Sequence, residues 1–356
     1  MPEDPRLGNF VEQHLLALQS ERPLVLISAF PAKQNEVLFK QEPFPQVQVL
    51  YKKHFSLLSH YQALKKAYQF AKNQGFEFEL AHLHVCHPSG IAFLGFLRKM
   101  PFVITEHYSG YQSIRLKEWS KMGQRVARLI FNQAKMIMPV SEALGKSLVD
   151  FGVKTPMKPV GNVVNTDIFN YKGAPPNEYL RFVHISSLQE HTKNISGLVF
   201  AFKAYRQSGG KGILAIGGDG DLNSLESKLE ALKLESDSYE ILPAMEPHEV
   251  SLELSKSHCF LLFSKVENQP VVILEALCSG RPFIASEVGG IPEIGDSSNC
   301  ILIPSGDESA LTAAMQKMER DYHQFNLEAI AKKAQAAHGP EAIRTAFEAV
   351  YASVRP

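Results

Sequence analysis

The stretch SKVENQPVVILEALCSGRPFIASEVGGIPEIG, residues 264–295, sets two carboxylates, Glu267 and Glu275, around a mostly apolar run. The segment before it, HCFLLFS (258–264), has the length and composition of a buried strand. Pro270 suits the first position of a helix, where a missing N–H costs nothing. Gly280 suits the residue just past the helix end, and Pro282 cannot continue it. The spacing therefore predicts a strand, a loop, a helix over 270–279 and a second strand, PFIAS (282–286). Glu267 falls in the loop at the carboxyl edge of the sheet, and Glu275 falls inside the helix. The unsatisfied N–H groups behind Pro270 and the helix dipole favour an anion there. Two carboxylates suit the hydroxyls of a sugar and a ribose, and the N–H groups between them suit a phosphate. On spacing alone, two ordinary solvated glutamates are the favoured reading.

Working outward, the same alternation recurs on both sides. Toward the C-terminus, strands are expected at 180–187, 212–218, 239–244, 258–264, 282–286 and 300–304, with helices at 194–207, 221–233, 247–256, 270–279 and 307–320. Toward the N-terminus, strands are expected at 23–30, 47–51, 80–85, 101–107 and 136–141, with helices at 9–20, 58–74, 89–99, 118–134 and 142–151. Strand–helix alternation predicts a mostly parallel sheet covered on both faces. The run VGNVVNTDIFNYKGAPPNEY (160–179) has no clear period and reads as a junction. The expectation is an α/β protein of two Rossmann-like, doubly wound domains, 1–165 and 166–339, with the helix of 340–356 free to join the first. Ligands of such sheets bind beyond the carboxyl ends of the strands, so a cleft between the domains is the expected site.

The 356 residues suffice for two cores, and an apolar fraction of 45% with 21% charged residues is that of a globular protein. No run approaches the roughly 20 apolar residues of a membrane span, and MPEDPRLGNF lacks the pattern of a secretion signal. Cys86, Cys259, Cys278 and Cys300 show no CxxC spacing, which suggests buried thiols in a reducing cytoplasm. Net charge is zero but divided. Residues 1–165 carry 20 Lys and Arg against 12 Asp and Glu, and the remainder carries 17 against 25. A basic half points to an anionic partner, or to two oppositely charged surfaces holding domains together.

Glu267 and Glu275 at this spacing, with LEALCSGRPFIASEVGGIPEI behind them, closely resemble the retaining glycosyltransferases of family 4, which have the GT-B fold. TEHYSGY (105–111), IMPVSEAL (137–144), PVGNVVNTDIF (159–169), HISSLQEHTKN (184–194), AIGGDG (215–220) and CILIPSGD (300–307) resemble the family's other landmarks, in order and over nearly the whole chain. The resemblance implies roles residue by residue. Glu275 would bind the ribose hydroxyls of the nucleotide, and Glu267 the donor sugar near its reacting carbon. The backbone of Asn268, Gln269, Val271 and Val272 would reach sugar and diphosphate, with Ser187 and Gly218 lining the donor site. Lys193 would neutralise the diphosphate as it leaves, because bond cleavage builds charge there. His107 would face the transferred sugar, with Gly8, Asn9 and Tyr108 on the acceptor side. No cofactor and no metal are implied. The partners would be a nucleotide sugar and a sugar or lipid-linked acceptor, not nucleic acid, in a cytoplasmic enzyme with possible peripheral membrane contact.

The chain departs from the family pattern in places. Ser186–Ser187 stands where a Gly-Arg pair is usual, so the second diphosphate cation is absent or comes from Arg181 or the first domain. Cys300 replaces a common glycine, a change of packing. The family chain opens with an apolar strand before a glycine loop and helix. PEDPRLGNFVEQHLLAL already resembles that loop and helix, with Gly8 at the turn and Asn9 as N-cap. The first strand is therefore expected to be missing, with a gap between 23–29 and 80–85.

Three other patterns carry alternative readings. His82, His84 and Cys86 alternate along a strand beside His87, which suggests zinc, but no distant ligand pair accompanies them. GGDG (217–220) reads as a tight turn beside the nucleotide, without the lysine of a phosphate loop. Trp119 lies in the basic segment RLKEWSKMGQRVARLIF (115–131), a solvated amphipathic helix or an interfacial patch on anionic lipid. The expected reaction is transfer of a hexose with retention, by same-face attack assisted by the leaving diphosphate. A sugar-nucleotide epimerase, a phosphorylase or a silent sugar-nucleotide-binding subunit would fit the same fold.

Overall fold

A computed structural model describes residues 9–18, 24–52, 56–111, 116, 119–176 and 179–354. Gly8 and residues 1–7 lie outside them. The chain divides into two compact units. One runs to Val163 and takes up the chain again from Pro340, and the other is Val164–Gly339.

The strands of the first unit are β1 (Leu26–Pro31), β2 (Glu36–Lys40), β3 (Gln46–Tyr51), β4 (Ala81–His84), β5 (Phe102–Glu106) and β6 (Met136–Pro139). Among the described residues they form two sheets, β1–β3–β2 and β4–β5–β6. Strands β1 and β3 are parallel, as are β4, β5 and β6. Strand β2 pairs antiparallel with β3 through a register from Glu36↔Leu50 to Lys40↔Gln46. The sequence reading ran through this hairpin, because β2 is a short edge strand with no fully buried residue. Among the described residues β1 and β4 share no ladder, and residues 1–7, on which the expected missing strand turns, lie outside them.

The segment expected as helix 89–99 is a 3-10 turn over Ser89–Leu94. Helix Pro340–Val354 buries Ile343, Phe347, Val350 and Tyr351 against Val103 and Met138 of the first unit. Helix Glu142–Phe151 shows the usual stops. Ser141 Oγ accepts from the Leu144 N–H at 3.1 Å, and Gly152 takes the left-handed conformation at φ 98°.

The second unit carries β7 (Arg181–Ser186), β8 (Ile213–Gly218), β9 (Tyr239–Leu242), β10 (Cys259–Leu262), β11 (Phe283–Ser286) and β12 (Cys300–Ile303). They pair in the order β12–β11–β10–β7–β8–β9, every neighbour parallel. Successive residues face opposite layers. Phe182 belongs to one apolar core with Leu214 and Leu261, and Val183 to the other with Ala215 and Phe260. Both faces are therefore covered, as the uninterrupted apolar strands require. The strand order reverses between β7 and β10, and this is where open α/β sheets bind ligands. Helix Leu327–His338 was not expected. Its buried face, Ile330, Ala331 and Ala334, is mostly alanine and gives weak apolar contrast. It packs on helix Val271–Cys278, where Gln335 Nε2 donates to the Cys278 carbonyl at 2.9 Å.

Cys86, Cys259, Cys278 and Cys300 are buried free thiols. No described helix is long and apolar enough to cross a membrane.

Candidate functional site

The carboxyl ends of β7 and β10 carry the two loops that sequence pattern singled out. After β7 the chain makes a short helix, Glu190–Lys193, stopped by Asn194 in the left-handed conformation at φ 53°. This places Lys193 at the sheet edge. After β10 the loop runs from Ser264 to Pro270, and the Lys265 N–H donates to the Thr192 carbonyl at 2.7 Å, tying the two loops together. Lys193 Nζ pairs with Glu267 Oε1 at 2.5 Å, and Ser264 Oγ donates to the same oxygen at 2.8 Å. Both charged side chains are mostly covered, at 19% and 10% exposure. A pair this sheltered holds its geometry better than a surface ion pair, though its net stabilisation is small.

The loop is held from behind. Gly289, at φ 55°, packs so closely that a Cβ would meet the Glu267 carbonyl oxygen at 1.9 Å. The Gly290 N–H donates to the Asn268 carbonyl at 2.6 Å. Only glycine permits that approach. No spacing in the sequence marks Ser264 or gives the glycine pair a role.

Helix Val271–Cys278 starts one residue later than expected. Pro270 is its N-cap, with φ −69° and ψ 114°. The amides of Val271 and Val272 thus open the helix, ahead of its intrahelical bonds. Asn268 is buried, while Gln269, Val271 and Val272 are half-buried. Glu275 lies one turn further in. Burial pushes its carboxyl up to about 7. Gly280 takes the left-handed stop at φ 76°.

Strand β8 ends beside β7, with Ser186 opposite Gly218. A Cβ on Gly218 would meet the Ser186 carbonyl oxygen at 1.9 Å, and one on Gly220 the Ser187 carbonyl oxygen at 2.2 Å. GGDG is therefore a close backbone packing of β8 on β7. Ser186 is not a spare hydroxyl, because its Oγ bonds His184 Nε2 at 2.8 Å and accepts the Leu188 N–H at 3.0 Å. His184 Nδ1 reaches the Leu261 carbonyl at 2.9 Å, bridging β7 to β10 where the order reverses. Burial lowers this imidazole to about 4.

Arg181 does not serve this edge. It starts β7, at the opposite end of the sheet, and its guanidinium bonds Glu240 at 2.6 Å, Glu253 at 2.7 Å and Ser257 at 2.6 Å. Its place at the amino end of the strand removes it as the second diphosphate cation.

In the first unit, His107 and Tyr108 follow β5. Their backbone N–H groups donate to Glu106 Oε1 at 2.9 and 2.8 Å, and the Cys86 N–H donates to Oε2 at 2.9 Å. Glu106 is fully buried and fixes the loop that carries both residues; its functional use was not read from the sequence. Asn9 opens helix Asn9–Leu18. The alternation of His82, His84 and Cys86 breaks at Val85, whose φ is 64°. Cys86 turns into the core with its Sγ 3.8 Å from the Ala127 carbonyl. His82 is held by Tyr351 and Thr105, each at 2.7 Å. His84 stacks on His82 and faces His14 and His107. Trp119 packs by His87, Tyr108 and Tyr111, and helix Lys121–Phe131 exposes Met122 and Leu129.

Residues 21–168 match the family described as Glycosyltransferase Family 4, and residues 180–321 the family described as Glycosyl transferases group 1. The chain belongs to these glycosyltransferases, an enzyme class, and has their GT-B fold. It is 27% identical over 201 residues to the amylovoran biosynthesis glycosyltransferase AmsK of Erwinia amylovora, covering 54% of this chain and 49% of that protein. It is 27% identical over 208 residues to the putative colanic acid biosynthesis glycosyltransferase WcaL of Salmonella typhimurium, covering 54% and 50%. The match thus spans about half the length of each. Among solved structures, sucrose-phosphate synthase from Thermosynechococcus elongatus superposes with a TM-score of 0.82 at 18% identity, covering 98% of this chain and 93% of that one. Anabaena Alr3699/HepE in complex with UDP and glucose gives 0.76 at 16% identity, covering 98% and 97%.

Proposed function

We propose that the chain is a retaining hexosyltransferase that moves a sugar from a nucleoside diphosphate to an acceptor hydroxyl in cell-envelope polysaccharide or glycolipid synthesis. The observation that carries this reading is the Lys193–Glu267 pair at the β7–β10 reversal, beside the amides of Val271 and Val272 and one turn from Glu275.

In this reading the diphosphate sits on the helix start and takes Lys193 from Glu267. As the bond from sugar to phosphate breaks, negative charge grows on the leaving oxygen, and a fixed cation lowers that barrier. Glu267 accepts hydroxyls of the donor sugar, while Glu275 accepts the ribose hydroxyls. Asn268, Gln269, Gly218 and Ser187 line the donor. His107 is assigned to catalysis, with Tyr108, Asn9 and Gly8 to the acceptor half. Glu267 Oε1 already accepts from Lys193 and Ser264, which suits a hydroxyl acceptor better than a covalent nucleophile. Attack on the sugar face vacated by the diphosphate would retain configuration, with the leaving phosphate taking the acceptor's proton. The reaction needs no metal, because Lys193 and the helix start meet the charge. The acceptor would be a sugar or lipid-linked sugar in the cytoplasm, met at the membrane surface through the basic first unit and the exposed Met122 and Leu129.

The test is a thermal-shift screen of UDP-, GDP- and ADP-sugars, with UDP-glucose first because Alr3699/HepE is described with UDP and glucose. A donor at 100 times its Kd adds about 2.7 kcal/mol of stability. NMR of the product formed with saccharide acceptors then reads the anomeric configuration. An inverted product ends the retaining reading, and a changed sugar nucleotide formed without acceptor identifies an epimerase.

A further inference from the structure

The ladder between β7 and β10 carries the pairs Cys259↔Phe182 and Phe260↔Val183. One residue further along both strands, a side chain also joins them. The fully buried His184 ring sets Nδ1 at 2.9 Å from the Leu261 carbonyl oxygen and Nε2 at 2.8 Å from Ser186 Oγ. Neither His184 nor Ser186 has a part in the chemistry proposed above.

The partners dictate the direction of each bond. A carbonyl only accepts, so Nδ1 carries the ring proton. Burial lowers this imidazole to about 4, and the Lys193 charge pushes the same way, so the ring is neutral near pH 7 and Nε2 is an acceptor. The Ser186 hydroxyl must then donate to Nε2, which leaves its lone pairs for the Leu188 N–H at 3.0 Å. A chain of three hydrogen bonds results. It runs from the Leu188 N–H through the Ser186 hydroxyl and the His184 ring to the Leu261 carbonyl on β10.

The Leu188 end needs such a hold. Its φ of 55° is left-handed, a conformation unfavourable for a residue with a Cβ. Its side chain packs on the apolar core that contains Phe182 and Leu214. Gly220 comes so close that a Cβ there would meet Leu188 Cβ at 2.6 Å. From this turn the chain enters the short helix Glu190–Lys193, where the Lys193 N–H donates to the Gln189 carbonyl at 2.7 Å. Turn and helix are continuous, so a change in the direction of the turn carries the lysine with it.

We infer that His184 and Ser186 are positioning residues for sugar transfer, which act through the Leu188 turn to fix where the Lys193 ammonium stands. This inference rests on the assignment of Lys193 to the leaving diphosphate. His184 is buried and neutral, so it moves no proton and acts through geometry alone. A contact that strengthens in the transition state is sensitive to small displacements, so loss of the relay should appear in kcat more than in donor binding.

Two measurements test this. Nitrogen-15 NMR of the histidine-labelled full chain, with the His184 signal assigned through His184→Asn, should show Nδ1 protonated and Nε2 bare across about pH 5.5–8. The opposite tautomer, or a ring that titrates within that range, overturns the relay in the wild-type chain. Initial rates then use the nucleotide sugar that the thermal-shift screen selects. Ser186→Ala and His184→Asn should each lower kcat about tenfold with little change in donor KM, and Ser186→Thr, which keeps the hydroxyl, should restore most of it. If Ser186→Ala does not fold, Ser186→Cys, a weaker donor of similar shape, takes its place. In a Lys193→Ala background the serine change should cost almost nothing more. An equal drop in both backgrounds overturns the relay and leaves Lys193 in its role. Full kcat in Lys193→Ala itself removes the lysine from the reaction, and the relay falls with it.

Discussion

The two units cover their polar groups in opposite ways. At the β7–β10 edge, charge is kept and paired, with Lys193 and Ser264 both on Glu267 Oε1. At the ends of β4 and β5, charge is removed, since burial leaves His14, His84 and His107 neutral. A paired ion answers a ligand whose charge changes during reaction, because the cation can move from one anion to another. Glu275 stands between these cases, a carboxyl pushed up by burial on the charged unit's own helix.

The largest expected effect breaks the paired side. Lys193→Ala should lower kcat by about 10²–10³-fold, the cost of losing one preorganised charge contact, with a smaller change in donor affinity. Initial rates at varied donor concentration separate the two. A rise in KM with kcat intact would make the lysine a ground-state anchor, and the contrast with the histidine cluster would lose its meaning.

Next comes Glu275→Gln, expected to weaken nucleotide binding by about 1.5–3 kcal/mol as measured by calorimetry. The acid–base sign sharpens this. Ribose hydroxyls donate to the ionised carboxylate, so wild-type affinity should fall by up to about tenfold per unit as pH drops below about 7. Stability should move the other way. A carboxyl raised in the folded chain contributes stability that is fully present below its unfolded value and lost as pH rises through about 7. The Gln variant should flatten both slopes. Unchanged affinity and an unchanged pH profile would remove Glu275 from the nucleotide site.

In the proposed reading Lys193 and the helix start meet the diphosphate charge without a metal, so chelation should change turnover little. Full loss with EDTA, restored by Mn²⁺ or Mg²⁺, would place a cation in the donor half.

The second unit was legible because its signals are local. Uninterrupted apolar strands, Pro270, Gly280 and the two glutamates fix strand, loop and helix within about 30 residues, with each boundary within two residues of its expected place. Glycines 217 and 218 were read as a turn, and the cause, backbone crowding against Leu242 and Ser186, is a three-dimensional fact. The first unit was less legible. Strand β2 has no buried residue to mark it, and Val85 turns left-handed where alternation predicts extension. His14, His84 and His107 are spread over a span of 94 residues, so only folding brings them together. Ser264 was passed over because a serine ending a strand looks like any other, and its partner is visible only once the loop has turned back.

That serine supports the smallest prediction. Ser264 is fully buried, and its hydroxyl donates to the oxygen that Lys193 also holds. Ser264→Ala removes a neutral donor and leaves the cation, so kcat should fall only a few-fold, about 1 kcal/mol. The double variant with Lys193→Ala carries the information. If the two donors fix one geometry of Glu267, their losses should not add, with a coupling of about 0.5 kcal/mol or more in kcat/KM. With lysine gone, the serine should become more important, since the carboxylate has then lost its cation and keeps this hydroxyl. Strict additivity would mean that Ser264 packs the strand end without positioning Glu267.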